Sequence, residues 1–391
     1  MTRSAAGGAG ASGAAQAPAA PSSYGLRQFV LKIHGRCNLA CDYCYVYEAA
    51  DQSWRTKPAA MSPRVVAQAA ARIGSYVRRT RPPWVEVVLH GGEPLLAGID
   101  TIARAVTGVR DEVGDSTTVR FVLQTNGVLL TGPVLDELDR LGVMVAVSID
   151  GEAADNDRHR VFRDGRGSHE AAAAGLRRLT SPAYRHLFVG LLCVVDLAAD
   201  PLRTLAALES WRPPTVDFLL PHRTWADPPP QDARFGAWLA TVFDAWFPRN
   251  PRDMSIRVFD EIIAVALGAR TGTASIGAGP VEYVTVETDG TIESDDTMKV
   301  AFPGAPRTGL DIAVNDFADF LASPGIRARR PGVAGLCSQC RSCAVVDVCG
   351  GGAYAHRHRP GFGFANPSAY CADLFHLISH IRNTILDELA Y

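Results

Sequence analysis

The sequence predicts an α/β protein, a partial (β/α)6 barrel of the TIM type followed by a smaller cysteine-rich module. Three observations predict it. Six short apolar, β-branched runs alternate with segments of mixed apolar and polar spacing, the pattern of repeated βα units on a parallel sheet. Polar, glycine-bearing motifs follow directly on several of those runs, where the active residues of such sheets gather. Five of the nine cysteines fall after residue 336. A doubly wound open sheet is the competing arrangement.

In chain order, residues 1–23 are rich in Ala, Gly, Ser and Pro, with Arg3 the one charged side chain. They lack the apolar run of a signal peptide, so 1–24 is expected to be a disordered tail. Strands are expected at 29–33, 85–89, 119–124, 143–149, 188–195 and 216–220. Helices are expected at 62–77, 99–113, 131–141, 169–179 and 202–211. These elements make up a core domain over 25–235. Asp227-Pro228-Pro229-Pro230 reads as a break. Residues 235–246 read as a helix with an aromatic face that belongs to the core. The run 281–286 and the following Thr288-Asp289-Gly290-Thr291-Ile292 read as a β-hairpin with Asp-Gly at its turn. The stretch 236–330 is therefore expected to be linker and hairpin, and 331–391 the terminal module.

Composition excludes some functions. At 391 residues the chain suits one large or two medium domains. Its 47% hydrophobic and 20% charged content is that of an ordinary globular enzyme. A formal net charge of −2 gives no pull towards nucleic acid or an anionic membrane. No apolar run approaches the ~20 residues that a membrane span needs. Nine cysteines without an export signal point to metal binding in a reducing cytoplasm, not to disulfides. Lys occurs only at 32, 57 and 299, against many Arg, which reads as the mark of a GC-rich genome.

The chemistry begins at Cys37-Asn38-Leu39-Ala40-Cys41-Asp42-Tyr43-Cys44, directly after the first strand. Three thiolates from one short loop can face one metal centre and leave a coordination position open. Thiolate-only ligation suits an iron–sulfur cluster or zinc, and a disulfide staple is the remaining alternative. His90-Gly91-Gly92-Glu93-Pro94 follows the second strand. Its glycines permit close backbone approach and its carboxylate can hold an ammonium, though a plain tight turn would read the same. Gln124-Thr125-Asn126-Gly127 and Ser148-Ile149-Asp150-Gly151 end the third and fourth strands, so together they line one rim. Arg160 offers a bidentate fork, with a solvated surface charge as the alternative. Cys340-x2-Cys343-x5-Cys349 and the later Cys371 suit an iron–sulfur site or a zinc ribbon. Cys193 lies within a strand and is expected to pack as a small hydrophobe.

The C-x3-C-x2-C loop, with Tyr43 just before its third cysteine, resembles the cluster loop of the radical S-adenosylmethionine (SAM) superfamily. The resemblance implies that Cys37, Cys41 and Cys44 hold a [4Fe–4S] cluster whose fourth iron is chelated by SAM. It also implies reductive cleavage of SAM to a 5′-deoxyadenosyl radical that abstracts a hydrogen from substrate. Gly91, Gly92 and Glu93 match the motif that binds the SAM amino group. Thr125, Asn126, Ser148 and Asp150 would sit near its ribose and carboxylate, with Tyr43 on the cofactor side. Arg160 matches the arginine that pairs with the SAM carboxylate. The C-terminal cysteines resemble part of a SPASM domain, which implies one auxiliary [4Fe–4S] cluster on Cys340, Cys343, Cys349 and Cys371. A full module has seven cysteines and two auxiliary clusters. Here Ala353 and Asp295-Asp296 depart from that pattern, and Cys337 has no assigned role. Asp296 is the candidate general base, with a hairpin surface acid as the alternative.

A narrower resemblance rests on Tyr45-Val46-Tyr47-Glu48, on Asp217-Phe218-Leu219-Leu220-Pro221-His222, and on Asn366-Pro367-Ser368-Ala369-Tyr370-Cys371. This combination resembles the FxsB-type radical SAM/SPASM maturases of ribosomal peptides. It implies a precursor-peptide substrate, an external electron donor of flavodoxin or ferredoxin type, and a C–C crosslink (cyclophane) between an aromatic ring and a nearby β-carbon. The alternatives are sulfatase-maturation-like oxidation of Cys or Ser, another peptide crosslink or epimerisation, and, outside the enzymes, a zinc-bound interaction module. No separate peptide-recognition domain is legible. Substrate is therefore expected to dock on the barrel rim and the terminal module, by strand addition to an exposed edge.

Overall fold

The structure, a computed structural model, describes residues 25–249, 253–269, 275–329 and 332–389. The tail expected over 1–24 lies outside the described residues.

Six strands alternate with helices. They are β1 Gln28–His34, β2 Trp84–Gly91, β3 Thr118–Thr125, β4 Val143–Ser148, β5 Phe188–Val194 and β6 Thr215–Leu219. Between them run α1 Pro63–Thr80, α2 Ile99–Val113, α3 Gly132–Arg140, α4 Ala153–His159, α5 His169–Leu179 and α6 Pro201–Glu209. Local chemistry sets the ends. Ser62 caps α1 by accepting the Val65 N–H, Pro63 opens its first turn, and Arg81 closes it in the left-handed region. The short α4 was not expected; it breaks the β4-to-β5 crossover into two helices.

Side-chain alternation sorts the sheet into two faces. On β2, Val85, Val87 and Leu89 are fully buried, while Val88 and His90 between them are half-buried. On β3, Phe121, Leu123 and Thr125 are buried and Gln124 is half-buried. Val85, Val87, Leu89, Phe121 and Leu123 belong to the hydrophobic core that α1 and α2 cover, whereas Thr125, at the strand end, reaches the cavity. His90 and Gln124 line a cavity on the inner side.

The neighbours of each strand decide between the two expected folds. β1 to β6 pair in parallel and in chain order. A doubly wound sheet reverses its order at a switch point; this one winds in one direction, as a barrel wall does. Among the described residues the sheet stays open and continues past both ends. The order is β10-β9-β8-β1-β2-β3-β4-β5-β6-β7. β7 is Ser255–Ile256, β8 Tyr283–Val286, β9 Thr291–Glu293 and β10 Arg307–Asp311.

The stretch 236–330, expected as linker and hairpin, thus contributes four strands to the main sheet. The hairpin is β8–β9, antiparallel, and Gly290 in its turn takes φ +93°, which suits glycine. What the hairpin pattern did not reveal is that β8 pairs in parallel with β1. The strand leading to the cluster loop is therefore held on both edges. Two further helices, α7 Arg234–Trp246 and α8 Arg257–Ala266, carry the chain from β6 to this hairpin. The aromatic face of α7 is core as expected, with Phe235, Trp238, Phe243 and Trp246 buried. It packs on the C-terminal helix Cys371–Leu389, where the Gly236 N–H donates to Asp373 at 3.0 Å. No described helix is long and apolar enough to cross a membrane.

Candidate active site

The carboxyl ends of β1 to β6 surround a cavity of about 350 Å³. Cys37, Cys41 and Cys44 line it from the loop after β1. Burial raises all three thiol pKa values: Cys37 to about 11, and Cys41 to about 12 against the opposing charge of Arg160. Each thiolate would also repel the others, so ionising the set needs a cationic core between them. Leu39 N–H at 3.4 Å and Asn126 Nδ2 at 3.7 Å point at Cys37 Sγ. The thiolate sulfurs are soft metal donors, and N–H groups aimed at them fit a thiolate-held cluster.

His90-Gly91-Gly92-Glu93 wraps the end of β1. A Cβ on Gly91 would lie 2.0 Å from the His34 carbonyl oxygen, and one on Gly92 1.8 Å from the Tyr47 hydroxyl. The glycines are therefore fixed by the close approach of this turn to β1 and the cluster loop, a reason the motif alone did not show. Glu93 is fully buried. Its carboxylate accepts from Thr125 Oγ1 at 2.8 Å, Asn126 N–H at 2.9 Å and Leu95 N–H at 3.0 Å. Burial nevertheless pushes its pKa up to about 7. A buried carboxylate poised near neutrality suits an ammonium partner.

Asp150 is the hub of the opposite wall. It accepts from Arg160 Nε at 2.9 Å, from the Val194 N–H at 3.0 Å, and from the Tyr43 hydroxyl. The Arg160 guanidinium lies 5.7 Å from the centre of the Tyr43 ring. Arg160 is buried and lines the cavity, whereas the nearby Arg158 is exposed and pairs with Asp155 and Asp196. That separates the two arginines, which the sequence left side by side. Ser148 lines the cavity and accepts from Gln124 Nε2 at 2.8 Å.

Asp296 is a half-buried member of an ion pair, not a hairpin surface acid. Its carboxylate meets Lys32 Nζ at 2.6 Å and accepts from the Tyr45 hydroxyl at 2.8 Å. Burial pushes its pKa up, but the charge and hydrogen bond of Lys32, with His90 and Lys299, together outweigh burial and hold it well below the usual carboxylate range. A base so held is weak. Several residues around it had no assigned role: Lys32, Tyr45, His90 and His222. The last three line the cavity. Burial, then the Lys32 charge, lowers the His90 pKa to about 4, and its Nδ1 has no partner among the described residues. His90 and His222 stand inside motifs noted in the sequence, but nothing there indicated which way they face.

In the terminal module, Cys340, Cys343, Cys349 and Cys371 line a second cavity of about 480 Å³. Burial raises the Cys340 pKa to about 12 and that of Cys349 to about 11. Among the described residues no three His, Cys, Asp or Glu side chains converge on a point that one metal ion could occupy; the four thiols instead surround a space. Cys337 neighbours Cys340 but lines a different cavity, with Tyr283, Arg329 and Tyr354. Cys193 is buried in β5 and packs as expected.

Residues 31–194 match the family model described as the radical SAM superfamily. A serine-type anaerobic sulfatase-maturating enzyme of Bacteroides thetaiotaomicron is 24% identical over 290 residues, covering 68% of this chain and 69% of that one. Among solved structures, native anSMEcpe with bound AdoMet and Cp18Cys peptide superposes with a TM-score of 0.79 at 17% identity, covering 92% of this chain and 98% of that one. Streptococcus suis SuiB bound to precursor peptide SuiA gives 0.59 at 12% identity, covering 89% and 76%. The fold is that of a radical SAM partial barrel. The chain is an enzyme, and a [4Fe–4S] cluster and SAM are its cofactors.

Proposed function

We propose that this enzyme oxidatively modifies a residue within a peptide or protein chain. The observation that carries the reading is one cavity lined by the three thiols of one loop, by Thr125 and Asn126, which hold the buried Glu93 carboxylate, and by Arg160, which pairs with Asp150. When bound, the cluster and SAM supply a 5′-deoxyadenosyl radical that abstracts a hydrogen from substrate. Cys37, Cys41 and Cys44 hold the cluster. Glu93, in its turn with Gly91 and Gly92, holds the SAM ammonium. Thr125 and Asn126 orient that carboxylate. Arg160, steadied by Asp150 and Tyr43, receives the SAM carboxylate, and Ser148 faces the same space. Asp296 anchors Lys32 and Tyr45 beside the substrate. Cys340, Cys343, Cys349 and Cys371 hold one auxiliary [4Fe–4S] cluster as electron acceptor. A low-potential donor of flavodoxin or ferredoxin type supplies the first electron in a reducing cytoplasm.

Conversion of a Ser or Cys side chain, as in sulfatase maturation, has the stronger support, because the relative is named for it and the best-superposing structure cited carries a Cys peptide. A cyclophane crosslink within a ribosomal precursor peptide is the second reading. It is favoured by the single four-thiol cavity and by Ala353 in place of a further cysteine. Anaerobic incubation of the reconstituted enzyme with SAM, dithionite and synthetic peptides tests both. An aldehyde that reacts with a hydrazide supports the first; loss of two hydrogens with no hydrazide reactivity, and suppressed fragmentation between two residues, supports the second. No modified peptide, with SAM cleavage intact, would remove both.

The Glu93 assignment has a pH signature. Its folded pKa is raised, so the ionised form that holds an ammonium is depleted as pH falls below about 7. SAM affinity is expected to weaken by up to about tenfold per pH unit on the acid side and to level off above. Glu93→Gln should bind SAM weakly with no such slope. Equilibrium dialysis across pH measures it, and an equal slope in both proteins would remove Glu93 from the site.

A further inference from the structure

His222 follows β6 and reaches the cavity; His356 belongs to the terminal module. His222 Nδ1 and His356 Nε2 lie 2.9 Å apart, so one donates to the other. The pair bridges the barrel and the module. Tyr45 meets the His222 ring edge-on at 5.1 Å. The His356 ring lies 5.0 Å from that of Tyr370, whose hydroxyl donates to the Pro221 carbonyl just before His222. Tyr370 itself precedes Cys371. The charged groups facing His222 are Asp295 and Asp296, the latter already bound to Lys32. Burial lowers the pKa of both imidazoles, so both are neutral near pH 7 and able to accept a proton. A neutral imidazole with a second one behind it is a better acceptor than a carboxylate locked to a lysine.

We propose that His222 accepts the proton released when the substrate radical is oxidised, and that His356, hydrogen-bonded to it, shares the resulting charge. The inference rests on the reading that the chain oxidises a peptide. After hydrogen abstraction the substrate radical must lose one electron and one proton. The electron goes to the auxiliary iron–sulfur acceptor at Cys340, Cys343, Cys349 and Cys371. The proton bonds to His222 Nε2 while the Nδ1 proton moves towards His356 Nε2, so the pair shares one positive charge, with Asp295 and Asp296 facing it on the His222 side.

The test uses reconstituted wild type, His222→Gln and His356→Gln, matched for iron content. Each is given SAM, dithionite and a pool of synthetic peptides with Ser, Cys or an aromatic residue at the centre. Without the acceptor, the substrate radical persists and returns to starting peptide. The ratio of 5′-deoxyadenosine to modified peptide should rise by about a hundredfold or more in His222→Gln. His356→Gln should rise less, in the same direction, and reads the same ratio should His222→Gln lose its iron. Freeze-quenched EPR should show a substrate-centred radical accumulating in the variants. In wild type the yield per deoxyadenosine should fall towards acid pH, and that dependence should vanish in His222→Gln. Wild-type ratios with no accumulated radical in both variants would overturn the proposal and leave peptide oxidation standing. A wild type that cleaves SAM but modifies no peptide would overturn the oxidation reading, and this inference with it.

Discussion

Replacing Cys37, Cys41 and Cys44 together by Ala is expected to lower the iron of the reconstituted protein from about eight per chain to about four and to abolish reductive cleavage of SAM. The three thiols are the cysteines that line the barrel cavity, and the four of the terminal module line another. Removing one set should therefore leave the other loaded. Iron and sulfide counting, with 5′-deoxyadenosine quantified in parallel, measures both halves. About twelve irons in wild type would bring Cys337 into a further site. Zinc in the terminal module would leave the SAM centre standing but remove the electron acceptor. Zinc throughout, with no SAM cleavage, would end the enzyme reading.

Lys299→Met is expected to cost about 3–5 kcal/mol of stability, the usual penalty for stranding buried charge. Lys299 is buried and pairs with Glu287 at 2.9 Å and Glu293 at 2.8 Å. Both carboxylates are buried at the β8–β9 hairpin, where Lys57 pairs with Glu293 at 2.8 Å and approaches Glu287 at 3.8 Å. Without Lys299 two carboxylates share one lysine. Burial pushes the Glu287 pKa up, but the lysine charges outweigh burial and leave it well below its ordinary value. Its contribution is thus present above the unfolded pKa and is lost as pH falls through the folded one. The loss in Lys299→Met should therefore be large at neutral pH and shrink in strong acid. Chemical denaturation of the holoenzyme measures it. Lys299→Arg should not restore stability, since a planar fork does not replace a compact ammonium. Adding Glu287→Gln and Glu293→Gln to Lys299→Met should recover most of it. A single variant as stable as wild type would mean the network contributes nothing net.

Local pattern carried the barrel. Each of β1 to β6 announces itself by β-branched content, and most helices by period and caps, because those signals lie within a few residues of each other. Partners distant in sequence were not legible. Nothing near Tyr283 says that its strand will pair with β1, and nothing near Asp296 says that Lys32 will lie 2.6 Å away. The cysteine sets were readable because their spacing is itself the chemistry, and the split of Cys337 from the other four became visible only once the cavities separated them. Arg160 and Arg158 needed burial to tell apart. His222 and His356, 134 positions apart, share no local signal at all.

The scarcity of lysine, first read as a trace of genome composition, has a spatial counterpart. Lys32, Lys57 and Lys299 all lie within the same buried junction of β1, the cluster-loop flank and the β8–β9 hairpin, each in an ion pair. The surface cations are arginines. The folded molecule therefore buries two of its lysine amines and holds the third, Lys57, in an ion pair: acylating reagents and amine-directed crosslinkers will find Lys32 and Lys299 only when the hairpin lifts away from β1. Lysine acylation, read peptide by peptide, becomes a gauge of how often that edge opens, and whether SAM or a substrate keeps it shut.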